Sequence, residues 1–135
     1  MTFRTKTVAR VLPVLPALAA AALLALAGGS AWTEGDVAKG EKVYKKCKTC
    51  HSLEAGKKKV GPHLAGVIGR AAGAVEGFKY SSAMADSGLV WDEATLDSFL
   101  EKPKKLVPKN KMAFPGLKKE ADRKNVIAYI KSVTE

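Results

Sequence analysis

Cys47-Lys48-Thr49-Cys50-His51 decides how the rest of the chain reads. Two thiols three residues apart, with an imidazole directly after the second, form a C-x-x-C-H run, the attachment pattern of a c-type haem. On one turn of backbone both sulfurs can add to vinyl groups of the same macrocycle. The next residue, His51, then lies under the iron and offers a ring nitrogen as axial ligand. These are the only two cysteines in 135 residues, so no other disulfide or Cys-rich metal site competes for them. Other readings of the pair are weaker. A thioredoxin-like redox pair needs a βαβ context, and nothing upstream of Cys47 reads as a buried strand. A structural zinc site wants four ligands, and His63 stands too near His51 to resemble a finger. A structural disulfide gives no reason for the histidine that follows.

Residues 1–31 read as a secretory signal peptide. Arg4, Lys6 and Arg10 supply a positive n-region, and Val11 to Ala27 is an uncharged Ala/Leu-rich stretch. Small residues place cleavage after Ala27 or Ala31. Pro13 and Pro16 near its start, and an apolar run short for a full span, favour cleavage over retention as an N-terminal membrane anchor. Export agrees with the C-x-x-C-H run, because covalent haem is attached after export in bacteria. The expected location is therefore the periplasm, and the expected mature domain is 32–135. A domain this small has a thin hydrophobic core of its own, which an apolar haem would enlarge.

The full chain carries 23 Lys+Arg against 13 Asp+Glu. Without Arg4, Lys6 and Arg10 this becomes 20 against 13, an excess of seven positive charges. Arg70 and Arg123 are the only arginines among those 20. Such a basic surface fits nucleic acid, anionic lipid or an acidic protein partner. Nucleic acid is excluded by the export signal and by the lack of an aromatic stacking surface.

Helical periodicity predicts a first helix from Asp36 to Cys50, capped by Asp36, with Val37, Gly40, Val43 and Tyr44 on one face. Gly40 predicts the close approach of a second helix. Ser52 to Gly77, with six glycines, reads as a loop that wraps around an object. A short helix is predicted over Tyr80 to Asp86. Another starts at the cap Asp92, turns Leu96, Phe99 and Leu100 inward, and ends at Pro103. Pro108 to Leu117 reads as an extended loop carrying Met112. Glu120 to Val133 is the last helix, with Val126, Ile127, Tyr129, Ile130 and Val133 on its apolar side. No strand is expected. Long loops in a small domain need something to hold them, and a haem would.

Several segments, in this order and spacing, resemble the class I cytochromes c, the family of mitochondrial cytochrome c and its soluble bacterial relatives. They are Gly-Asp-Val-Ala-Lys-Gly-Glu at 35–41, the C-x-x-C-H run, Val-Gly-Pro-His-Leu-Ala-Gly at 60–66, Gly-Arg at 69–70, Gly-Phe-Lys-Tyr-Ser at 77–81, Trp91, Pro-Lys-Lys at 103–105, Lys-Met-Ala-Phe-Pro-Gly at 111–116 and Ile-Ala-Tyr-Ile-Lys at 127–131. The resemblance implies an all-α class I cytochrome c fold, three to five helices with long loops around one covalently attached haem c. It implies a single-electron carrier between respiratory or photosynthetic membrane complexes, not an enzyme.

The resemblance also implies residue roles. Cys47 and Cys50 would form the thioethers. His51 and Met112 would be the axial iron ligands, a pair that raises the reduction potential and leaves no open coordination site. The Pro62 carbonyl would accept a hydrogen bond from the His51 ring. Arg70, Tyr80 and Trp91 would surround the haem propionates, and Phe114 would shield the methionine ligand. Phe99, Asn110 and Met84 depart from the residues usual in mitochondrial forms, a Tyr, a Thr and an Asn. His63, on the proximal side after Pro62, is not expected to ligate. If Met112 did not ligate, a peroxidase-like or gas-binding protein would be the competing reading.

Lys46, Lys48, Lys59, Lys104, Lys105, Lys111, Lys118 and Lys119 fall in segments that rim the exposed haem edge in this family. They imply transient, salt-sensitive docking of a monomer to acidic sites on redox proteins. Those partners would be ubiquinol–cytochrome c reductase, a terminal oxidase, a reductase, a dehydrogenase or a reaction centre. A subunit dedicated to one dehydrogenase is the alternative arrangement.

Overall fold

The computed structural model describes Thr2 and residues 34–135. The expected signal peptide, with its cleavage after Ala27 or Ala31, lies outside the described residues apart from Thr2. Five α-helices follow in order: α1 Val37–Tyr44, α2 Ser82–Ala85, α3 Glu93–Glu101, α4 Pro103–Leu106 and α5 Glu120–Thr134. Among the described residues the only β pairing is an isolated bridge between Ala71 and Val90. No described helix is long and apolar enough to cross a membrane.

Local chemistry starts each helix. The Asp36 carboxylate accepts the Lys39 N–H, and that of Asp92 accepts the Thr95 N–H at 2.7 Å. Ser81 caps α2 through the Met84 N–H. These side chains satisfy backbone donors that a first turn leaves without partners. Lys119 offers α5 no such cap, but Glu120 and Asp122 in its first turn complement the helix dipole.

The first helix is shorter than its periodicity predicts. It ends at Tyr44, and residues 45–50 continue as tight turns. Cys47 N–H bonds to the Tyr44 carbonyl at 2.8 Å and Cys50 N–H to the Cys47 carbonyl at 3.0 Å. The Tyr44 hydroxyl then donates to the His51 carbonyl at 3.1 Å, which folds the motif back on the helix that leads into it. Pro103 also does more than end α3. It is fully buried and opens the one-turn helix α4, where its fixed φ and missing N–H suit the first helical position.

The core forms where α1 crosses α5. A Cβ on Gly40 would collide with the Asn125 carbonyl and lie 2.7 Å from the Tyr129 Cβ, so only glycine lets the two backbones come this close. Tyr44 and Tyr129 pack beside the crossing with ring centroids 5.5 Å apart. The Asp36 N–H donates to Asn125 Oδ1 at 2.8 Å across 89 residues of sequence. Val126 and Ile127 are fully buried, each stabilising the domain by about 1.5–3 kcal/mol. Val133, expected on the same apolar side, is 47% exposed. It sits in the last turn of α5, beyond the reach of α1. Val37, in the first turn of α1, is also exposed.

A buried cation ties α3 to α5. Arg123 Nε bonds to Asp97 Oδ1 at 2.8 Å, and its Nη1 donates to the Leu117 and Lys118 carbonyls. The Asp97 hydrogen bond, outweighing the cost of burial, raises the guanidinium pKa above its ordinary value.

Candidate functional site

A cavity of about 300 Å³ opens among the loops and α3. That volume is within the range of cofactor pockets. Cys47, Cys50 and His51 form one part of its wall, and Met112 and Phe114 another. Pro62, Arg70, Tyr80 and Trp91 line it as well, so every haem-contacting residue expected from the sequence reaches one space. Leu64, Val67, Leu96, Phe99, Leu100 and Ile130 make most of the remaining lining apolar.

His51 is positioned from two sides. Its Nδ1 donates to the Pro62 carbonyl at 2.7 Å. That bond places the proton on Nδ1 and leaves the lone pair of Nε2 for a metal. Gly61 lies flat against the imidazole: a Cβ there would fall 2.5 Å from Cε1 and 2.8 Å from Nδ1. Burial is the larger influence on the ring and lowers its pKa, with the Pro62 bond opposing it. Burial raises the pKa of the Cys47 thiol. Burial likewise pushes the Tyr44 hydroxyl up to about 12, keeping it a donor to the motif at any physiological pH.

Backbone pairing places the aromatic and cationic walls. Trp91 N–H donates to the Arg70 carbonyl and Gly69 N–H to the Trp91 carbonyl, both at 2.9 Å. Trp91 and Phe99 pack with ring centroids 4.9 Å apart. Arg70 is already engaged: Nη1 donates to the Ala65 carbonyl at 2.7 Å and Nη2 to that of His63 at 2.9 Å. It therefore holds the 63–70 loop in shape besides bringing positive charge to the cavity. The Tyr80 hydroxyl accepts the Val75 N–H and keeps its own proton to donate.

The Met112 loop is fixed at both ends. The Asn110 side chain spans the Val107 carbonyl and the Met112 N–H. At the far end Leu117 N–H donates to the Leu100 carbonyl at 2.7 Å. Sequence reasoning placed Asn110 only as a departure from the usual residue and missed this clamp. The signal was an Asn two residues before the methionine, where an Asx turn can form.

All eight candidate docking lysines are exposed, and Lys46 and Lys111 line the cavity itself. Lys48, Lys59, Lys104, Lys105, Lys118 and Lys119 do not line it. Lys59 Nζ donates to the Lys48 carbonyl, and Lys111 Nζ to that of Tyr80 at 3.3 Å. Lys79, which the sequence reading passed over, lines the cavity and is exposed. Only its neighbours in the 77–81 segment marked it.

A helical domain whose loops enclose an apolar cavity, with two thiols, an imidazole and a thioether in its wall, defines a c-type haem protein. The chain belongs to the cytochrome c family, whose model matches residues 37–134. It is 60% identical over 87 residues to cytochrome c2 iso-2 of Magnetospirillum fulvum, covering 64% of this chain and 91% of that protein. It is 53% identical over 102 residues to cytochrome c2 of Rhodomicrobium vannielii, covering 75% of this chain and 82% of that one. Among solved structures, cytochrome cH from Methylobacterium extorquens aligns with a TM-score of 0.69 and 45% identity over 73% of this chain and 99% of that one. The family binds covalently attached haem c and transfers electrons without being enzymes. The class I cytochrome c fold expected from the sequence is the one observed.

Proposed function

We propose that this chain is a periplasmic single-electron carrier whose haem is held by Cys47 and Cys50 and ligated by His51 and Met112. The observation that carries the reading is the 2.7 Å bond from His51 Nδ1 to the Pro62 carbonyl in a cavity whose wall also includes Met112. It leaves one ring nitrogen ready to ligate, and the same space offers a soft sulfur.

Bound haem supplies an iron that gains and loses one electron at a time. The chain does the rest. Its two thiols fix the group in place. His51 and Met112 would be the residues that hold its iron, which would then exchange electrons rather than bind substrate. The apolar walls from Leu64, Leu96 and Ile130 would exclude water from it. Arg70, Tyr80 and Trp91 offset the charge of the haem carboxylates. Lys46, Lys79 and Lys111 at the cavity, with the wider lysine set, would steer acidic redox partners toward it. Residues 1–31 direct export and are removed after Ala27 or Ala31, and the partners are membrane oxidoreductases that meet a mobile monomer.

The visible spectrum of the oxidised and reduced protein, with and without Met112→Ala, tests the ligand set. A low-spin spectrum with a band at the red edge of the visible, abolished by the substitution, is the expected result. A high-spin wild-type spectrum, or one indifferent to the substitution, would overturn Met112 ligation. N-terminal sequencing of the exported protein tests the cleavage site.

A further inference from the structure

The loop that carries Met112 contains a strained residue and a clamp that family membership alone does not explain. Val107 to Asn110 closes a β-turn, with the Asn110 N–H donating to the Val107 carbonyl at 3.2 Å. Pro108 and Lys109 are its central residues, and Lys109 has φ 63°. A turn with proline second and positive φ third ordinarily takes glycine at that third position. Lys109 is the only non-glycine residue with positive φ among the described residues. Its Cβ crowds the backbone there, so the turn is held in a conformation it would relax from if released.

Asn110 is what opposes that release. It is buried, at 6% exposure. Its Nδ2 donates to the Val107 carbonyl at 2.7 Å, the same oxygen that closes the turn, and its Oδ1 accepts the Met112 N–H at 2.9 Å. One side chain therefore fastens the strained turn behind it to the residue two positions ahead. Ser52 Oγ makes only the forward arm, accepting the Glu54 N–H at 3.0 Å, whereas Ser87 makes both arms from one hydroxyl, donating to the Met84 carbonyl at 2.9 Å and accepting the Leu89 N–H at a longer 3.4 Å. An amide has separate donor and acceptor atoms for the two arms.

We propose that Asn110 is a positioning residue that holds Met112 in its seated place against the strain at Lys109, so that these two adjacent residues set how often Met112 withdraws from the iron. The proposal rests on the reading of Met112 as a ligand. Seated and withdrawn loops form a two-state equilibrium, and a small external ligand binds the iron only in the withdrawn state. Its apparent affinity therefore reports the withdrawn population.

The test uses the purified holoprotein, imidazole as the external ligand, and amide hydrogen exchange at Met112. Asn110→Ala is expected to raise the apparent imidazole affinity about tenfold and to speed Met112 N–H exchange, from the loss of its clamp. Asn110→Ser, whose single hydroxyl can make the two arms only with a longer forward bond, as Ser87 does, should fall between wild type and alanine. Lys109→Gly should weaken imidazole binding about two- to threefold, because relief of strain exceeds the greater freedom of glycine. Unchanged imidazole affinity in Asn110→Ala overturns the proposal, whether or not the midpoint of global unfolding shifts. So does faster Met112 exchange with unchanged affinity, which would reduce Asn110 to a local loop contact. If the alanine variant does not fold, the serine and Lys109→Gly variants carry the same two outcomes. A wild-type spectrum without the methionine band would instead overturn the ligand reading, while the amide exchange would still report the clamp.

Discussion

The Nδ1 of His51 donates to the carbonyl of Pro62 at 2.7 Å, and Gly61, the residue just before that proline, lies flat on the same imidazole. One short segment thus sets both the tautomer and the tilt of the ring. A methyl group at 61 cannot be accommodated without moving one of the two. Gly61→Ala is expected to destabilise the holoprotein by about 1–3 kcal/mol, the usual range for overpacking. Guanidinium denaturation measures the loss. NMR shifts of the His51 ring protons check the cause, since they should move in this variant.

Arg123 is buried against Asp97 and two carbonyls. Removing the carboxylate leaves a buried cation with neutral acceptors alone. Asp97→Ala should cost about 3 kcal/mol, near the lower end for breaking a buried pair. Asp97→Asn, which keeps an oxygen in place, should cost less. Equal losses in the two variants would mean that charge contributes nothing there.

The helix caps predict acid sensitivity. The backbone N–H of Thr95 holds the Asp92 carboxyl below its ordinary value of 3.8, and that of Lys39 does the same for Asp36. A folded pKa below the unfolded one gives stabilisation that is complete above pH 3.8 and lost as pH falls through the lower folded value. Asp92→Asn caps the helix without titrating. Its unfolding midpoint should be close to wild type at pH 7 and fall less steeply than wild type below pH 3.8.

Phe99 is buried, packs on Trp91 and lines the cavity. A hydroxyl added there and bonded to the Met112 sulfur would draw electron density from it and favour Fe(II). Phe99→Tyr should therefore raise the midpoint potential. A lower or unchanged potential would show that the hydroxyl does not reach the sulfur.

Lys79 lines the cavity and is exposed. Lys79→Glu should slow the second-order reaction with an acidic redox partner several-fold at low ionic strength. The difference should shrink as salt screens it over a Debye length of about 8 Å at 0.15 M. Stopped-flow rates across a salt series measure both.

Much of the site was legible because its chemistry is local. The C-x-x-C-H run names three wall residues by itself, whereas Pro62 and Met112 were marked only by the resemblance of their short segments to the class I cytochromes c. Gly40 announced a helix crossing because glycine in a helix lacks a local reason. Other features were invisible for physical reasons. The early end of α1 depends on turn hydrogen bonds and on the Tyr44 hydroxyl reaching His51, which periodicity does not register. The Arg123–Asp97 pair spans 26 residues and looks like two ordinary surface charges until the fold buries it. Asn110 needed the turn around Lys109 before its two bonds could be seen.

The bond from Asp36 to Asn125, with Gly40 seated on the same stretch of α5, has a consequence for the order of events during synthesis. The first helix of the domain finds its partner only when α5, 89 residues further along by the Asp36–Asn125 bond, has been made. Until then Tyr44, just ahead of the thiols, lacks the Tyr129 ring it packs on. Contacts this distant in sequence form late and slowly. The chain should therefore stay open, with its two thiols accessible, until the haem is attached after export, and protease protection should arrive only once α1 and α5 have met around it.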